Sequence, residues 1–282
     1  MAETILNTNQ IDLNNLTTQH WYTNNTGSTL DISSLTGDVV NVYKNGVLLE
    51  QGALTKTYPV YTAPSDGTKQ LILTPGGSTS IPLSTYDSWS FELKMYFNTT
   101  STGPMPGVFH VLDGPVFVGG YGSRWPASIW VRSGSSWLIE HAQSTFKMED
   151  YGNSTFFLKT EFTGGTYDIY YKFGDSGMYI NCLTQTKTTK PNDGNQGISI
   201  FNWSSTTWTA STVYMKDVKF IANGVPLFDG KTAVKGTDYV VDSAWTETTE
   251  TVAADNTYSI SSDVITFSNP LISSDKVMVE TI

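Results

Sequence analysis

The side chains best suited to engage another molecule are aromatic, and they gather in two short stretches of the chain's middle. Tyr121-Gly122-Ser123-Arg124-Trp125 and Phe201-Asn202-Trp203-Ser204-Ser205-Thr206-Thr207-Trp208 set flat rings beside an amide, a guanidinium and several hydroxyls. A sugar presents apolar C–H faces ringed by hydroxyl groups, so a flat ring with polar neighbours is its complement. Tyr121, Arg124, Trp125, Asn202, Trp203 and Trp208 are therefore the candidate carbohydrate-binding residues. Every such ring also has a packing reading. Trp130, which alternates with Ile129 and Val131, reads as core, and Trp137 belongs to the same aromatic-rich zone.

Catalytic arrangements fare worse. Glycoside hydrolysis needs two carboxyl groups a few ångströms apart, and on a strand only alternate residues share a face. No E-x-D-x-x-E array is present: Glu92 stands alone on its strand, and Glu149-Asp150 are adjacent and point to opposite faces if extended. Glu140-His141 fits a solvated strand edge. Three scattered histidines, His20, His110 and His141, do not suggest a metal cluster or a nucleophile triad. Gly119-Gly120-Tyr121-Gly122 reads as a loop among strands, and no phosphate-cradling glycine motif precedes a helix. The single cysteine, Cys182, has no second thiol for a disulfide or a zinc site and reads as a small buried hydrophobe. Binding without catalysis, and without a cofactor, is the expectation.

Composition narrows the partners. Charged residues are 15% of the chain, below the usual ~25%, so the polar surface falls to Ser, Thr, Asn and Gly. A net charge of −10 with no Lys/Arg cluster argues against nucleic acid, whose phosphates need basic groups. No apolar run approaches the ~20 residues of a membrane-spanning helix, so membrane insertion is not expected. The opening Met1-Ala2-Glu3-Thr4-Ile5-Leu6-Asn7 lacks a basic stretch followed by an apolar one. No cleaved secretion signal is therefore expected, and assembly in a reducing cytoplasm is.

The elements that must position these groups are strands. In Trp89-Ser90-Phe91-Glu92-Leu93-Lys94-Met95-Tyr96-Phe97 every odd position is apolar, and Tyr167, Ile169, Tyr171 and Phe173 alternate with Asp168, Tyr170 and Lys172. Turn signals such as Asn45-Gly46, Gly164-Gly165, Asp193-Gly194 and Asn223-Gly224 punctuate the runs. The best helical candidate is Thr246 to Asp255, and it is weak. The fold class is all-β, with a sandwich over residues 53–230. Residues 1–52 and 231–282 read as the two halves of one small β-domain into which the sandwich is inserted, because loop closure costs little for a folded insert. Three consecutive β-units with no insertion are the alternative.

The split hairpin, Val42-Tyr43-Lys44-Asn45-Gly46-Val47-Leu48-Leu49 with Gly236-Thr237-Asp238-Tyr239, Ile265-Thr266-Phe267 and Asp275-Lys276-Val277-Met278-Val279, resembles a small β-domain of bacteriophage fibre and appendage proteins. The middle resembles a concanavalin A-like (laminin G-like) jelly-roll sandwich over Trp89 to Phe97, Tyr167 to Asn181 and Val213 to Leu227. The resemblance implies a virion protein, exposed on the particle surface, whose smaller domain attaches it to other virion proteins and whose sandwich meets bacterial surface glycan. It also implies a homo-oligomer such as a trimer. Such sandwiches often hold a loop calcium; Asp113, Asp175 and Asp193 each lie beside glycine, where turn formation accounts for them without a metal. A purely structural spacer binding only neighbouring subunits, and an unrecognised glycosidase, are the competing functions.

Overall fold

The computed structural model describes residues 17–64, 70–97, 107–112, 116–120, 126–133, 135–201 and 211–282. Their regular structure is strand, with short 3-10 turns and no α-helix among the described residues. The chain divides into two compact units, one of residues 1–57 with 251–282, the other of residues 58–250.

The smaller unit has two four-stranded sheets. One holds, in order, β1 (Thr18–Thr23), β23 (Lys276–Thr281), β3 (Val39–Lys44) and β4 (Val47–Leu48). The other holds β2 (Gly27–Asp31), β22 (Val264–Leu271), β21 (Thr257–Ser261) and β5 (Glu50–Gln51). Alternation explains the packing: Val42, Val277 and Val279 point inward to meet Leu30, Ile265 and Phe267 in one apolar cluster. Asn45 and Gly46 both take positive φ (52° and 81°), the geometry of the tight hairpin turn between β3 and β4. Asp275 fastens that turn. Its carboxylate accepts from Asn45 Nδ2 (2.8 Å) and from the Ile272 amide (2.9 Å), and pairs with Lys44 Nζ (3.0 Å).

The larger unit is a sandwich of two antiparallel sheets around one core. The seven-stranded sheet runs β12 (Ser136–Lys147), β11 (Pro126–Ser133), β10 (Val116–Gly120), β9 (Gly107–Val111), β16 (Ile198–Ile200), β7 (Leu71–Leu73), β19 (Tyr239–Val241). The eight-stranded sheet runs β15 (Ile180–Thr186), β14 (Thr166–Lys172), β13 (Ser154–Thr163), β8 (Ser88–Phe97), β17 (Thr212–Ala222), β6 (Thr55–Thr62), β20 (Thr246–Ala253), with β18 (Val225–Asp229) beside β17. In β8 buried and half-buried residues alternate over its whole length. Trp89, Phe91, Leu93, Met95 and Phe97 thus reach the core shared with Phe109, Val118, Ile129 and Ile200 of the facing sheet.

Two expectations need correction. Residues 231–250 belong to the sandwich, not to the small unit: Tyr239 of the Gly236-Thr237-Asp238-Tyr239 stretch pairs with Leu73 on β7, and Tyr239 and Trp245 fill the larger core. Their rings need the larger core, and this moves the boundary to 250/251. The helical candidate Thr246 to Asp255 is strand β20 over its first eight residues. Its run of threonines is β-branched and favours extended backbone.

Candidate functional site

Tyr121, Arg124, Trp125, Asn202, Trp203 and Trp208 lie outside the described residues. The described residues that flank them are neighbours on one sheet: Gly120 pairs with Ala127, Gly119 pairs with Gly107, and the Phe201 amide donates to the Val108 carbonyl at 3.0 Å. Of the other tryptophans of this zone, Trp130 is buried. Trp137 is 43% exposed, with the Arg132 guanidinium 3.8 Å from its ring centre across the β11–β12 hairpin. Cys182 is buried and donates to the Ile169 carbonyl, and burial raises its thiol pKa to about 11.

Among the described residues, the groups that could recognise a ligand converge on the outward face of the eight-stranded sheet. Because β8 sends its odd residues to the core, its even residues Ser90, Glu92, Lys94 and Tyr96 face out, and strand register extends each of them into a row. The first row is Ser90, Glu161, Asp168 and Thr184. The second is Lys219, Glu92, Lys159, Tyr170 and Asn181. The third is Tyr214, Lys94, Phe157 and Lys172. Glu92 is single on its strand, but pairing brings carboxylates from β13 and β14 onto the same face, with Glu161 directly opposite Asp168. Counting along one strand misses this.

The lattice is largely neutralised from within. Lys159 pairs with Glu161 at 2.5 Å, Lys94 with Asp175 at 2.9 Å, and Lys216 with Asp217 at 3.0 Å. Lysine ammonium groups also lie over rings: Lys172 is 4.2 Å from the centre of Phe157 and 4.8 Å from that of Tyr179, and Lys159 is 5.4 Å from that of Tyr170. Tyr179, from the segment after β14, sits edge-on to Tyr170 with ring centres 6.4 Å apart. Burial first, then the neighbouring Glu161 carboxylate, pushes the Tyr170 phenol up to about 12. Burial, then Glu92, raises Tyr179 further. Phenols are neutral across the physiological range at their ordinary 10.0, and these shifts keep both neutral further into alkaline solution.

At the β14–β15 edge, Asp168 Oδ1 accepts from Asn181 Nδ2 at 2.8 Å and from the Thr184 hydroxyl. Asn181 and Thr184 are exposed, and Asp168 and Tyr170 are half-buried. A carboxylate, an amide and a hydroxyl held in fixed orientation next to a phenol can orient a polyhydroxylated ligand. An activated nucleophile does not follow from this arrangement, since Glu161 and Asp168 are each occupied by a neighbour. The sequence places Asp168 and Tyr170 on one face of a strand; Asn181 and Thr184 join them only through the register of β15, which alternation in a single strand cannot reveal.

The loop aspartates weighed for calcium are engaged elsewhere. Asp175 holds Lys94, whose hydrogen bond is the main cause of its lowered pKa, and Asp193 Oδ1 accepts the Ser84 amide at 2.8 Å. Asp113 lies outside the described residues. Among the described residues no group of three or more His, Cys, Asp or Glu side chains could hold a metal ion.

No protein-family model matches the chain. No curated protein matches it either. Solved structures similar to it include a heptameric SAP-like pentraxin from Limulus polyphemus, 11% identical over 67% of this chain and 94% of that one, with a TM-score of 0.45. Domains LG4-5 of the mouse laminin alpha1 chain are 9% identical over 69% of this chain and 46% of that one, with a TM-score of 0.42. A legume lectin-like domain from Entamoeba histolytica is 12% identical over 64% of this chain and 89% of that one, with a TM-score of 0.38. The all-β sandwich rests on the strand pairing described above.

Proposed function

We propose that the protein is a non-enzymatic carbohydrate-binding protein, and that the outward face of the eight-stranded sheet is its saccharide platform. One observation carries this reading: register sets Asp168, Tyr170, Asn181 and Thr184 side by side, the carboxylate already locked by its neighbours and the phenol held neutral. Each member then has hydrogen-bonding capacity left for sugar hydroxyls, at little cost in side-chain ordering.

A glycan array probed with the full chain tests the proposal. Binding that Tyr170→Ala or Asp168→Ala abolishes without unfolding supports it. Binding that only Trp125→Ala or Trp203→Ala abolishes would move the site to the rim stretches proposed from sequence. A second reading, glycoside hydrolysis, is favoured only by the direct opposition of Glu161 and Asp168. Reducing ends released from a polysaccharide by the full chain, and lost in Glu161→Gln, would establish it. The virion location, the attachment role of the smaller unit and a trimeric state are proposals carried by the resemblance of Val42 to Leu49, Ile265 to Phe267 and Asp275 to Val279 alone, the hairpin segments that lie in the smaller unit. Immunolabelling of intact particles and sedimentation of the full chain test them.

A further inference from the structure

The smaller unit carries a second arrangement of this kind, built from different residues. The sheet β1-β23-β3-β4 buries Val42, Val277 and Val279 on one side, so the intervening residues face out. Register aligns Trp21, Met278, Tyr43 and Leu48 in one row across all four strands. Trp21 is 61% exposed and Leu48 53%. The next row on the same face is Gln19, Glu280 and Asn41. Glu280 is 9% exposed, and its two oxygens accept from Gln19 Nε2 (3.1 Å) and Asn41 Nδ2 (2.8 Å).

We infer that this face is a second saccharide-binding site, with Trp21 as the stacking plane and Gln19 and Asn41 as the hydrogen-bonding pair. Residues two apart on a strand are separated by about 7 Å, so Gln19 lies within the span of one pyranose ring of the indole, and Asn41, two strands of about 4.8 Å spacing across, lies at roughly the reach of a disaccharide. Glu280 fixes one N–H of each amide, which turns both side chains into oriented groups whose carbonyl oxygen and second N–H point elsewhere. A neutral sugar fits better than a charged ligand, because the only carboxylate in the row is already doubly engaged.

The size of the face argues against a second copy of the chain. Three strands of six residues and one of two, spaced about 4.8 Å apart, offer roughly 300 Å², whereas a stable protein interface buries about 800 Å² per partner. A bare indole beside a polar triad suits a ligand that itself alternates C–H faces and hydroxyls.

The test uses the full chain and soluble hexasaccharides of glucose, galactose and mannose, with intrinsic tryptophan fluorescence and calorimetry as readouts. The inference predicts that at least one hexasaccharide binds, that Trp21→Ala weakens it at least about tenfold, and that Gln19→Ala and Asn41→Ala weaken it by smaller factors. The titrations and the other variants are made in the Tyr170→Ala background, in which the platform on the larger unit is disabled, so that the binding read is that of the smaller unit. Either site can then fail alone. Circular dichroism melts confirm that each variant is folded. Binding by no hexasaccharide, full affinity in Trp21→Ala, or a Trp21→Ala variant that differs only in sedimentation would overturn the inference, the last by pointing to a contact between copies.

Discussion

Two sheet faces in this molecule handle solvent-side aromatics in opposite ways. On the larger unit, Tyr214 and Phe157 lie under Lys94, and Tyr170 and Tyr179 under Lys159, lysines that are themselves tied to carboxylates. On the smaller unit, Trp21 stands bare at 61% exposure, and the polar groups beside it are tied to one another instead. Both faces arise from the same in–out alternation, yet one spends its cations on its own rings and the other leaves its ring free. A covered ring contributes to stability. An open one contributes almost nothing until a ligand arrives.

Substitution in the core costs more stability than substitution on either face. Trp89, 2% exposed and stacked near Phe162, belongs to the core, so Trp89→Ala is expected to cost about 3–5 kcal/mol in a denaturant melt. Asp275→Ala removes a carboxylate that serves an amide, Asn45 and Lys44, and should cost the smaller unit about 2–3 kcal/mol. The Ile272 amide first, then Asn45 and Lys44, hold the Asp275 carboxyl at about 2 against an ordinary 3.8. Its stabilisation is therefore complete above pH 3.8 and lost as pH falls toward 2, and an acid melt of the wild type against Asp275→Ala should show that window.

Lys94→Ala deletes the ion pairs to Asp175 and Asp217 and the ammonium over Phe157 and Tyr214, with an expected loss of about 1 kcal/mol that shrinks in high salt. Tyr170 works at the other end of the pH scale. With its folded pKa raised to about 12, its contribution is complete below pH 10.0 and lost as pH rises toward 12. Tyr170→Phe should remove one late-ionising phenol from the alkaline absorbance titration. Trp21→Ala is the smallest, within about 0.5 kcal/mol of wild type. A loss as large as that of Trp89→Ala would show that the indole is a structural side chain, and the contrast between the faces would collapse.

What the sequence discloses follows the range of its signals. Alternation from Trp89 to Phe97 and from Tyr167 to Tyr171 is local, and it sorts core from surface along β8 and β14, whereas Phe173, past the end of β14, is 39% exposed. Register is not local. Glu92 therefore looks solitary, although Lys159, Glu161 and Asp168 share its face. Trp21 carries no sequence signal for the same reason: its row partners Met278, Tyr43 and Leu48 are scattered over the chain, and the row exists only once the last strand lies between β1 and β3. The end of the sandwich near 250 is not legible in the sequence, because Tyr239 and Trp245 sit in turn-rich sequence with no long alternating run to assign them.

Calorimetric titration of the full chain and its Tyr170→Ala variant, with the saccharide that a glycan array returns, tests the proposed platform most directly. Loss of the binding isotherm in the variant, with its melting curve kept, is the predicted result. An unchanged isotherm in the variant, or heat from slow turnover accompanied by new reducing ends, would contradict it.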